Sequence, residues 1–353
     1  MHHLFSKPSR NLAPKSFSIE RLRRVLWGAG VTSISVAGLI SILTVGAYLW
    51  LENKFGATGP LQTSRQVIIT KGAGLNSVAR ALESAGVIEN ARVFVFGFKL
   101  FATKKPIRAG EFQFPAAISP LGAATILQSG KMVARRLTIP EGLTRREVKE
   151  LILTAPGLVG GLGPLPKEGW ILPETYYYNL GDKRSHILTR METGMHSLLS
   201  RLWVARDQDL PIKSKSEALA LASIVEKETG LARERSRVAG VFINRLRRGM
   251  RLQSDPTVSY GITLGGRSLG RPLTRADLRK PSDFNTYVIK GLPPAAISNP
   301  GEASLRAVLQ PMKTNELYFV ANGFGGHAFA QTLAQHNINV AKWRRIQRQK
   351  KTK

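Results

Sequence analysis

Cysteine is absent from the 353-residue sequence. Its absence excludes a disulfide framework, a thiol nucleophile and a cysteine-ligated metal. The sequence also lacks the HExxH zinc signature, a P-loop and a GxGxxG dinucleotide fingerprint. His327 and His336 stand without a carboxylate-rich metal pattern around them, and such histidines are more often hydrogen-bonding groups. We therefore predict that the protein uses no metal and no cofactor.

Long runs that are both uncharged and predominantly apolar are missing too, with one exception. Val25 to Leu51 carries no charge, and at 1.5 Å per residue it extends about 40 Å, more than the roughly 30 Å hydrocarbon layer of a bilayer. The alternatives are a buried core helix and a cleaved signal peptide, which has a shorter apolar region. We predict one transmembrane helix over residues 25–51. Basic residues dominate the preceding segment, so the positive-inside rule puts residues 1–24 in the cytoplasm and the rest outside.

Acidic residues are scarce, with 23 Asp and Glu against 52 Lys and Arg and a net charge of +29. This balance favours either nucleic acid or anionic lipids and envelope polymers as partners. The terminal stretch KWRRIQRQKKTK (342–353) taken alone is typical of a nucleic-acid-binding tail. Because the predicted domains face outward, we expect no nucleic acid and prefer lipid headgroups or peptidoglycan carboxylates. A solvated tail without a specific partner is the alternative.

Composition and periodicity divide the remaining chain into two predicted domains of the α+β class. Residues 52–64 are rich in Gly, Pro, Ser and Thr and predict a linker. A first domain (65–137) follows, with helices that we expect Asn76 and Ser119 to cap. A larger domain (138–345) and a basic tail (346–353) complete the chain.

The larger domain is predicted to be mainly helical before it becomes irregular. Helical patterns cover residues 182–207, 216–229 and 233–248. Residues 250–301 are dense in Gly, Pro, Asn and Asp and predict irregular structure. After them, a Gly-rich turn joins two short apolar runs within residues 317–332, which predicts a hairpin.

One helix of this domain delivers two candidate carboxyl groups. The segment EALALASIVEKETG (217–230) is apolar on every side from 218 to 225 except Ser223, as in a buried helix. Desolvation and the helix dipole both favour a protonated carboxyl at Glu226 in its last turn. Such a group can protonate a glycosidic oxygen, although a structural helix-end carboxylate is the plainer interpretation. Glu228 is about 200° away around the helix, so the two glutamates cannot face one site.

Five segments carry a resemblance to a known family. In chain order they are EGWILPETY (168–176), SIVEKETG (223–230), RLQSDPTVSYG (251–261), FNTYVIKGLPPAAISNPG (284–301) and YFVANGFGGHAFAQTLAQHN (318–337). Together with the single membrane span, they resemble the endolytic murein transglycosylases, a YceG-like family, over roughly residues 65–345. The resemblance implies a small LysM-like α+β domain followed by a mixed α/β catalytic domain. It also implies a single-pass protein of the inner membrane, with its catalytic domain in the periplasm.

The resemblance further implies a lytic transglycosylase in which Glu226, the first Glu of an ExE motif, is the acid and base. Glu226 would protonate the oxygen between N-acetylmuramic acid and N-acetylglucosamine, and the muramic 6-hydroxyl would then close a 1,6-anhydro ring. Because that hydroxyl is the nucleophile, the second carboxylate of ordinary glycosidases is not required. Eight further residues are expected either to contact the sugars or to shape loops: Gln253, Asp255, Tyr260, Asn285, Tyr287, Asn299, His327 and Glu174.

The expected partners follow from the same resemblance. They are peptidoglycan glycan strands, the membrane and, by analogy alone, penicillin-binding synthases whose nascent strands the enzyme would terminate. Two other functions stay open. One is a non-catalytic peptidoglycan-binding scaffold, and the other is a hydrolytic muramidase that leaves reducing ends.

Overall fold

The computed structural model describes residues 19–266 and 268–351, and this part of the chain forms twelve helices and six short strands. Most of the predicted cytoplasmic tail (1–18), Arg267 and the last two residues of the predicted basic tail lie outside the described residues. The chain divides between Met132 and Val133 into two compact units. Each unit is described by itself.

The first unit contains a two-stranded antiparallel sheet and the helices packed on it. Its elements are α1 (Ile19–Gly56), β1 (Arg65–Ile69), α2 (Leu75–Ser84), α3 (Ala91–Phe101), β2 (Gly110–Phe114) and α4 (Pro120–Ser129). Val67 of β1 lies opposite Phe112 of β2. Leu82, Phe94, Phe112 and Leu127 are buried in the core between these elements. The LysM-like character of this unit stays a prediction.

Helix ends in the first unit follow the predicted caps at α4 but not at α2. The Ser119 side chain accepts a hydrogen bond from the amide of Gly122 at 3.0 Å, Pro120 opens α4, and Gly130 ends it in the left-handed conformation. The prediction for Asn76 is wrong, because α2 begins earlier, after Gly74. Leu75 already packs against the core there, which draws the first turn back along the chain.

Helix α1 joins the apolar segment to the core of the first unit. Among the described residues, one helical segment, Ser35–Gly56, is long and apolar enough to cross a membrane. Helix α1 continues into residues 52–56, where composition predicts a linker. Phe55 is buried there and its ring lies 5.9 Å from that of Phe94. Gly97 permits the close approach, since a Cβ at that position would meet the Phe55 ring.

The second unit is built on four long or buried helices and two small sheets. Its elements are β3 (Arg135–Thr138), α5 (Arg145–Thr154), β4 (Thr175–Tyr178), α6 (Arg184–Val204), α7 (Lys215–Glu228), α8 (Ala232–Arg247), α9 (Asp255–Thr263), α10 (Arg275–Arg279), α11 (Glu302–Leu309), β5 (Tyr318–Ala321), β6 (His327–Ala330) and α12 (Leu333–Lys351). Helix α7 packs against α6, α8 and α11, and residues 218–225 are buried on all sides. The predicted helices α6, α7 and α8 and the β5–β6 hairpin are confirmed.

The sheets of the second unit are antiparallel. Leu137 of β3 lies opposite Tyr176 of β4, and Phe319 of β5 lies opposite Phe329 of β6. The chain is therefore α+β as expected, but the α/β arrangement predicted for the second domain is wrong for its described strands, since antiparallel pairs need no crossover helix. The expectation of irregular structure over 250–301 is also corrected by α9 and α10. The Pro256 that suggested a loop stands in the first turn of α9, where a missing N–H costs nothing.

Candidate active site at the end of helix α7

Helix α7 ends by presenting two glutamates to different surroundings. Its first turn is capped by Ser214, whose hydroxyl accepts from the amide of Glu217 at 3.2 Å. Its last helical residue is Glu228, and Thr229 follows in extended conformation. Because the helix persists through Glu228, the side chains of Glu226 and Glu228 leave on opposite faces. Each face has its own set of partners.

On one face, Glu228 is held by a buried serine. The Ser254 hydroxyl donates to Oε1 of Glu228 at 2.5 Å. Ser254 itself is fixed by its amide, which donates to the Thr286 hydroxyl at 2.9 Å. Burial, opposed by the Ser254 hydrogen bond and reinforced by nearby Asp255, raises the pKa of Glu228 from 4.5 to about 6. A substantial fraction of this carboxyl is therefore protonated in mildly acidic solution.

A cavity of about 430 Å³ opens beside Glu228. It is bounded by side chains from α8, the segment before α9, the loop after α10, the β5–β6 hairpin and α12. The lining residues are Glu228, Arg245, Leu252, Gln253, Asp255, Tyr287, Phe319, Val320, Ala321, His327 and His336. Four of the residues singled out from sequence therefore meet around Glu228, and Glu226 is not among the lining residues.

Two of those four, Asp255 and Tyr287, are bonded to each other. The Tyr287 hydroxyl donates to Oδ1 of Asp255 at 2.6 Å. Burial and this hydrogen bond raise the pKa of Tyr287, so the phenol remains a donor. Gln253 stands beside them with φ +52°, a conformation that a residue with a side chain seldom adopts. The backbone N–H of Gln253 donates to the carbonyl of Thr286 at 3.1 Å, which holds the backbone in this conformation.

Basic groups complete the cavity wall. His327 Nδ1 lies 2.8 Å from Oε2 of Glu234, which fixes the ring. The Arg245 guanidinium is buried and donates to the carbonyls of Leu317 at 2.6 Å and Leu252 at 2.7 Å. His336 has a buried Nδ1 without a hydrogen-bond partner. Burial and the nearby Arg245 charge lower the pKa of His336, so its ring is neutral and can bond a polar ligand.

Arg245 was not singled out from the sequence, and His336 was weighed there as a metal ligand or a hydrogen-bonding group but not as part of this site. Arg245 belongs to the helical pattern of α8, where arginine is ordinary, so its burial had no sequence signal. His336 lies in the basic terminal helix α12 and reaches the cavity only because that helix packs on the β5–β6 hairpin. Both assignments depend on tertiary packing.

On the opposite face of α7, Glu226 lies in an ionic cluster. Its Oε1 is 3.5 Å from Nη2 of Arg235, and its Oε2 accepts from the amide of Gly301 at 3.0 Å. Oε2 of Glu141 lies 3.9 Å from the same Arg235 nitrogen. Burial and the neighbouring Glu226 carboxyl raise the pKa of Glu141. Neither Glu141 nor Arg235 was recognised from sequence, because each is remote along the chain or hidden in a helical pattern.

The side chains of two predicted sugar-binding residues make their hydrogen bonds within the protein. The buried Asn285 donates to the carbonyl of Lys280 at 2.8 Å and accepts from the amide of Tyr287 at 3.0 Å. The buried Asn299 donates to the carbonyl of Leu143 at 2.9 Å and accepts from the amide of Ile171 at 3.1 Å. Both side chains shape loops, which was the alternative considered for them.

The remaining two predicted residues lie away from the cavity beside Glu228. The Tyr260 hydroxyl is 3.2 Å from Oε2 of Glu168, and burial together with the Glu168 charge raises the pKa of Tyr260 to about 12. Tyr260 lines a separate groove that also includes Asp255 and Lys227. Glu174 is exposed just before β4, and its carbonyl accepts from the amide of Ile139 at 2.9 Å.

Rival chemistries find little support in this arrangement. Within residues 19–266 and 268–351, no group of three or more metal-ligating side chains is positioned to hold a metal ion. The letters GxSxG do occur, as GRSLG (266–270). That signature carries meaning only at a strand-to-helix turn. Here the segment follows helix α9, and Ser268 is exposed.

Known proteins match this chain over most of its length. The chain matches the YceG-like family over residues 67–342. It is 26% identical to an endolytic murein transglycosylase of Streptococcus pneumoniae, covering 87% of this chain and 64% of the relative. A protein of the same name from Bacillus subtilis is 36% identical over 49% of this chain and 46% of its own length. The chain thus spans less than two thirds of the curated relatives it matches.

A solved structure matches as well. The 2.6 Å crystal structure of a YceG-like protein from Listeria monocytogenes is 31% identical to this chain. The match covers 78% of this chain and 99% of the other, with a TM-score of 0.48.

Proposed function

The chain belongs to the YceG-like family, and on this premise we propose that it is a lytic transglycosylase that cuts peptidoglycan glycan strands. The observation that carries the proposal is the position of Glu228, a buried carboxyl whose pKa is raised by burial, in a polar cavity lined by hydrogen-bonding side chains. A carboxyl of raised pKa in a cleft is what protonation of a glycosidic oxygen requires. The names of the streptococcal and Bacillus relatives supply the substrate class.

We assign the acid role to Glu228 and keep Glu226, the acid predicted from sequence, as the alternative. Three features favour Glu228: its raised pKa, its cavity, and the arrival of Gln253, Asp255 and Tyr287 in that cavity. Glu226 instead accepts hydrogen bonds from Arg235 and the amide of Gly301. Those donors stabilise the charged form of Glu226, each taking one acceptor position on one of its oxygens.

In the proposed reaction, protonated Glu228 gives its proton to the oxygen that links muramic C1 to the next sugar. The C1–O bond breaks, and the leaving sugar departs with a free 4-hydroxyl. The Glu228 carboxylate then takes the proton of the muramic 6-hydroxyl while O6 bonds to C1, closing the 1,6-anhydro ring. No water enters, and Glu228 ends protonated as it began.

The other cavity residues hold the sugar and the acid. Ser254 orients Glu228, and the side chains of Gln253 and His336 line the cavity, where they can hydrogen-bond hydroxyl or acetamido groups. Arg245 carries positive charge on the cavity wall and suits the carboxylates of the peptide stems. Asn285 and Asn299 act as loop scaffolds, and Tyr260 and Glu174 are assigned no contact at the cut bond.

A hydrolytic muramidase is the second candidate, and one observation favours it. Asp255 lines the same cavity as Glu228, so a second carboxyl that could activate water is present. Its hydrogen bond from Tyr287 holds it in place but also occupies one of its oxygens. The products distinguish the two reactions, since an anhydro end is lighter than a reducing end by one water.

The deciding experiment is digestion of purified glycan strands with the full chain in detergent, followed by mass spectrometry of the products. Anhydro ends that disappear with Glu228→Gln support the proposal. Reducing ends would instead identify a muramidase. Binding of strands with no cleavage by the wild type would identify the scaffold, the third possibility. Because the acid form of Glu228 is required, we expect the rate to fall as pH rises through about 6.

We further propose that α1 anchors the protein in the inner membrane, with both units in the periplasm. The apolar segment Ser35–Gly56 and the basic residues before it support this orientation. The first unit would act as a LysM-like glycan-binding domain. Penicillin-binding synthases are the expected partners by family analogy, with the enzyme terminating their nascent strands.

A further inference from the structure

We propose that the outer face of helix α3 docks into the surface of an anionic lipid bilayer, beside the point where α1 leaves it. The inference rests on the proposed membrane anchor and adds a second membrane contact to it. All the residues concerned belong to the first unit. The occupant of this face is phospholipid, because three independent features of the unit point to a bilayer.

The first feature is an apolar face that none of the described residues of this unit, 19–132, covers. Phe96 and Leu100 lie one helical turn apart on α3 and are 60% and 59% exposed. The other side of the helix, with Phe94 and Gly97, is buried against Phe55. An exposed Phe–Leu pair beside a buried aromatic face is typical of a helix that lies in a lipid interface.

The second feature fixes how close α3 lies to the membrane. The ring of Phe101, at the end of α3, meets the ring of Tyr48 edge-on with centroids 5.3 Å apart. Tyr48 lies on α1 one turn before Glu52, the first charged residue after the apolar run. The end of α3 is therefore level with the uncharged part of α1. Trp50, 56% exposed, lies in the same zone, as expected of aromatic side chains at a headgroup layer.

The third feature is charge. Between Glu89 and Glu111 the chain has no acidic residue. It carries five basic residues there: Arg92, Lys99, Lys104, Lys105 and Arg108. All five are exposed in the structure. Two of the five, Arg92 and Lys99, lie on α3 with the exposed Phe96 and Leu100. In helices of this composition, the basic side chains bind anionic headgroups while the apolar side chains enter the acyl boundary.

The lack of cysteine makes the test direct. Single cysteines replace Phe96, Leu100, Lys71 or Leu43 in the full chain, each labelled with an environment-sensitive fluorophore and reconstituted into nanodiscs of phosphatidylcholine and phosphatidylglycerol. Lipids with a nitroxide at a shallow or a deep acyl position then quench labels at the matching depth. Lys71 is the exposed control in the turn before α2, and Leu43 reports the anchor.

We expect the shallow nitroxide to quench labels at 96 and 100 at least twofold more than the label at 71, and this excess to shrink when phosphatidylglycerol is left out. If the deep nitroxide quenches position 43 while 96 and 100 match position 71, docking of α3 is overturned and the anchor stands. If position 43 is not quenched, the anchor fails and the docking inference fails with it. Strand cleavage by Glu228 is tested separately and is unaffected by either result.

Discussion

The two faces at the end of α7 differ in what they do with a carboxyl group. On one face, Glu226 meets a guanidinium and a backbone amide, and both donate to it. On the other, Glu228 receives one hydroxyl and is otherwise desolvated beside a cavity. Ionic partners stabilise the charged form of a carboxyl, whereas burial favours its protonated form. At Glu228, burial raises the pKa more than the nearby Arg245 and His327 lower it. From this comparison we propose a structural role for the first face and a catalytic role for the second.

The largest effect should separate the two glutamates in activity. Glu228→Gln removes the proton donor and should slow strand cleavage by about a thousandfold. Glu226→Gln keeps an acceptor for the Gly301 amide and should cost less than about tenfold, or 1.4 kcal/mol in the barrier. The measurement is the initial rate of anhydro-end formation by both variants. A reversed order would return the acid role to Glu226.

Removing Arg235 should test the structural role of the Glu226 face. Arg235→Met leaves Glu226 and Glu141 without their shared cation in a mostly buried cluster, and should destabilise the fold by about 3 kcal/mol. Arg306→Met on α11 is the control. Its ion pair with Glu302 is largely exposed on both sides, so the loss should stay near 1 kcal/mol or less.

Chemical denaturation of the full chain in detergent measures both variants. Equal losses for Arg235→Met and Arg306→Met would show that the cluster around Glu226 adds no more stability than an exposed ion pair. A structural role also predicts that Arg235→Met, Glu226→Gln recovers part of the loss, because the double variant leaves one carboxyl fewer uncompensated.

The Glu228 face should reveal itself in the pH dependence of stability. Burial raises the pKa of Glu228 to about 6, so the folded state holds this proton more tightly than the unfolded chain. The stability that this provides is complete below about pH 4.5 and is lost as pH rises through about 6. Glu228→Gln has no carboxyl to ionise, so its free energy of unfolding should not fall in this window. Between about pH 4.5 and pH 7, its free energy of unfolding should therefore rise by about 1 to 2 kcal/mol relative to that of the wild type. A difference independent of pH would contradict the assignment.

The smallest effect should come from Tyr287 in the cavity beside Glu228. Tyr287→Phe removes the hydroxyl that holds Asp255 and should cost about 1 kcal/mol, seen as a roughly fivefold slower rate. Tyr178→Phe is the control, because its hydroxyl donates only to the carbonyl of Pro156 at 2.9 Å. The control should lose similar stability and keep its rate. If Tyr287→Phe and Tyr178→Phe lost the same rate, Asp255 and Tyr287 would have no specific role at the site.

Much of the scaffold could be predicted from the sequence, since it depends on local patterns. The burial of α7, the cap at Ser119 and the β5–β6 hairpin all follow from periodicity and turn residues. The choice of Gln253, Asp255 and Tyr287 as candidate site residues came instead from the family resemblance. The cap predicted at Asn76 was wrong because Asn76 lies two residues after the actual N-cap, Gly74, and is already inside the helix.

The choice between Glu226 and Glu228 depended on information that the local pattern does not contain. A helix that is apolar all round has no polar stripe to show which way its last turn faces. The different surroundings of the two glutamates come from α8, α11 and the loops that pack against α7, which bring Arg235 and Gly301 to one side and Ser254 to the other. Glu141 is 85 residues away from Glu226 along the chain, so no spacing rule connects the two.

The burial of Phe55 sets where the chain can be shortened. A soluble fragment that starts at Arg65, after the last turn of α1, would lose a ring that fills the space between Phe94 and Phe101. Emptying such a site costs about 3 to 5 kcal/mol, a large share of what holds a small domain together. Truncations made for solubility should therefore begin at Glu52 or earlier, so that the core of the first unit keeps the Phe55 ring that α1 contributes.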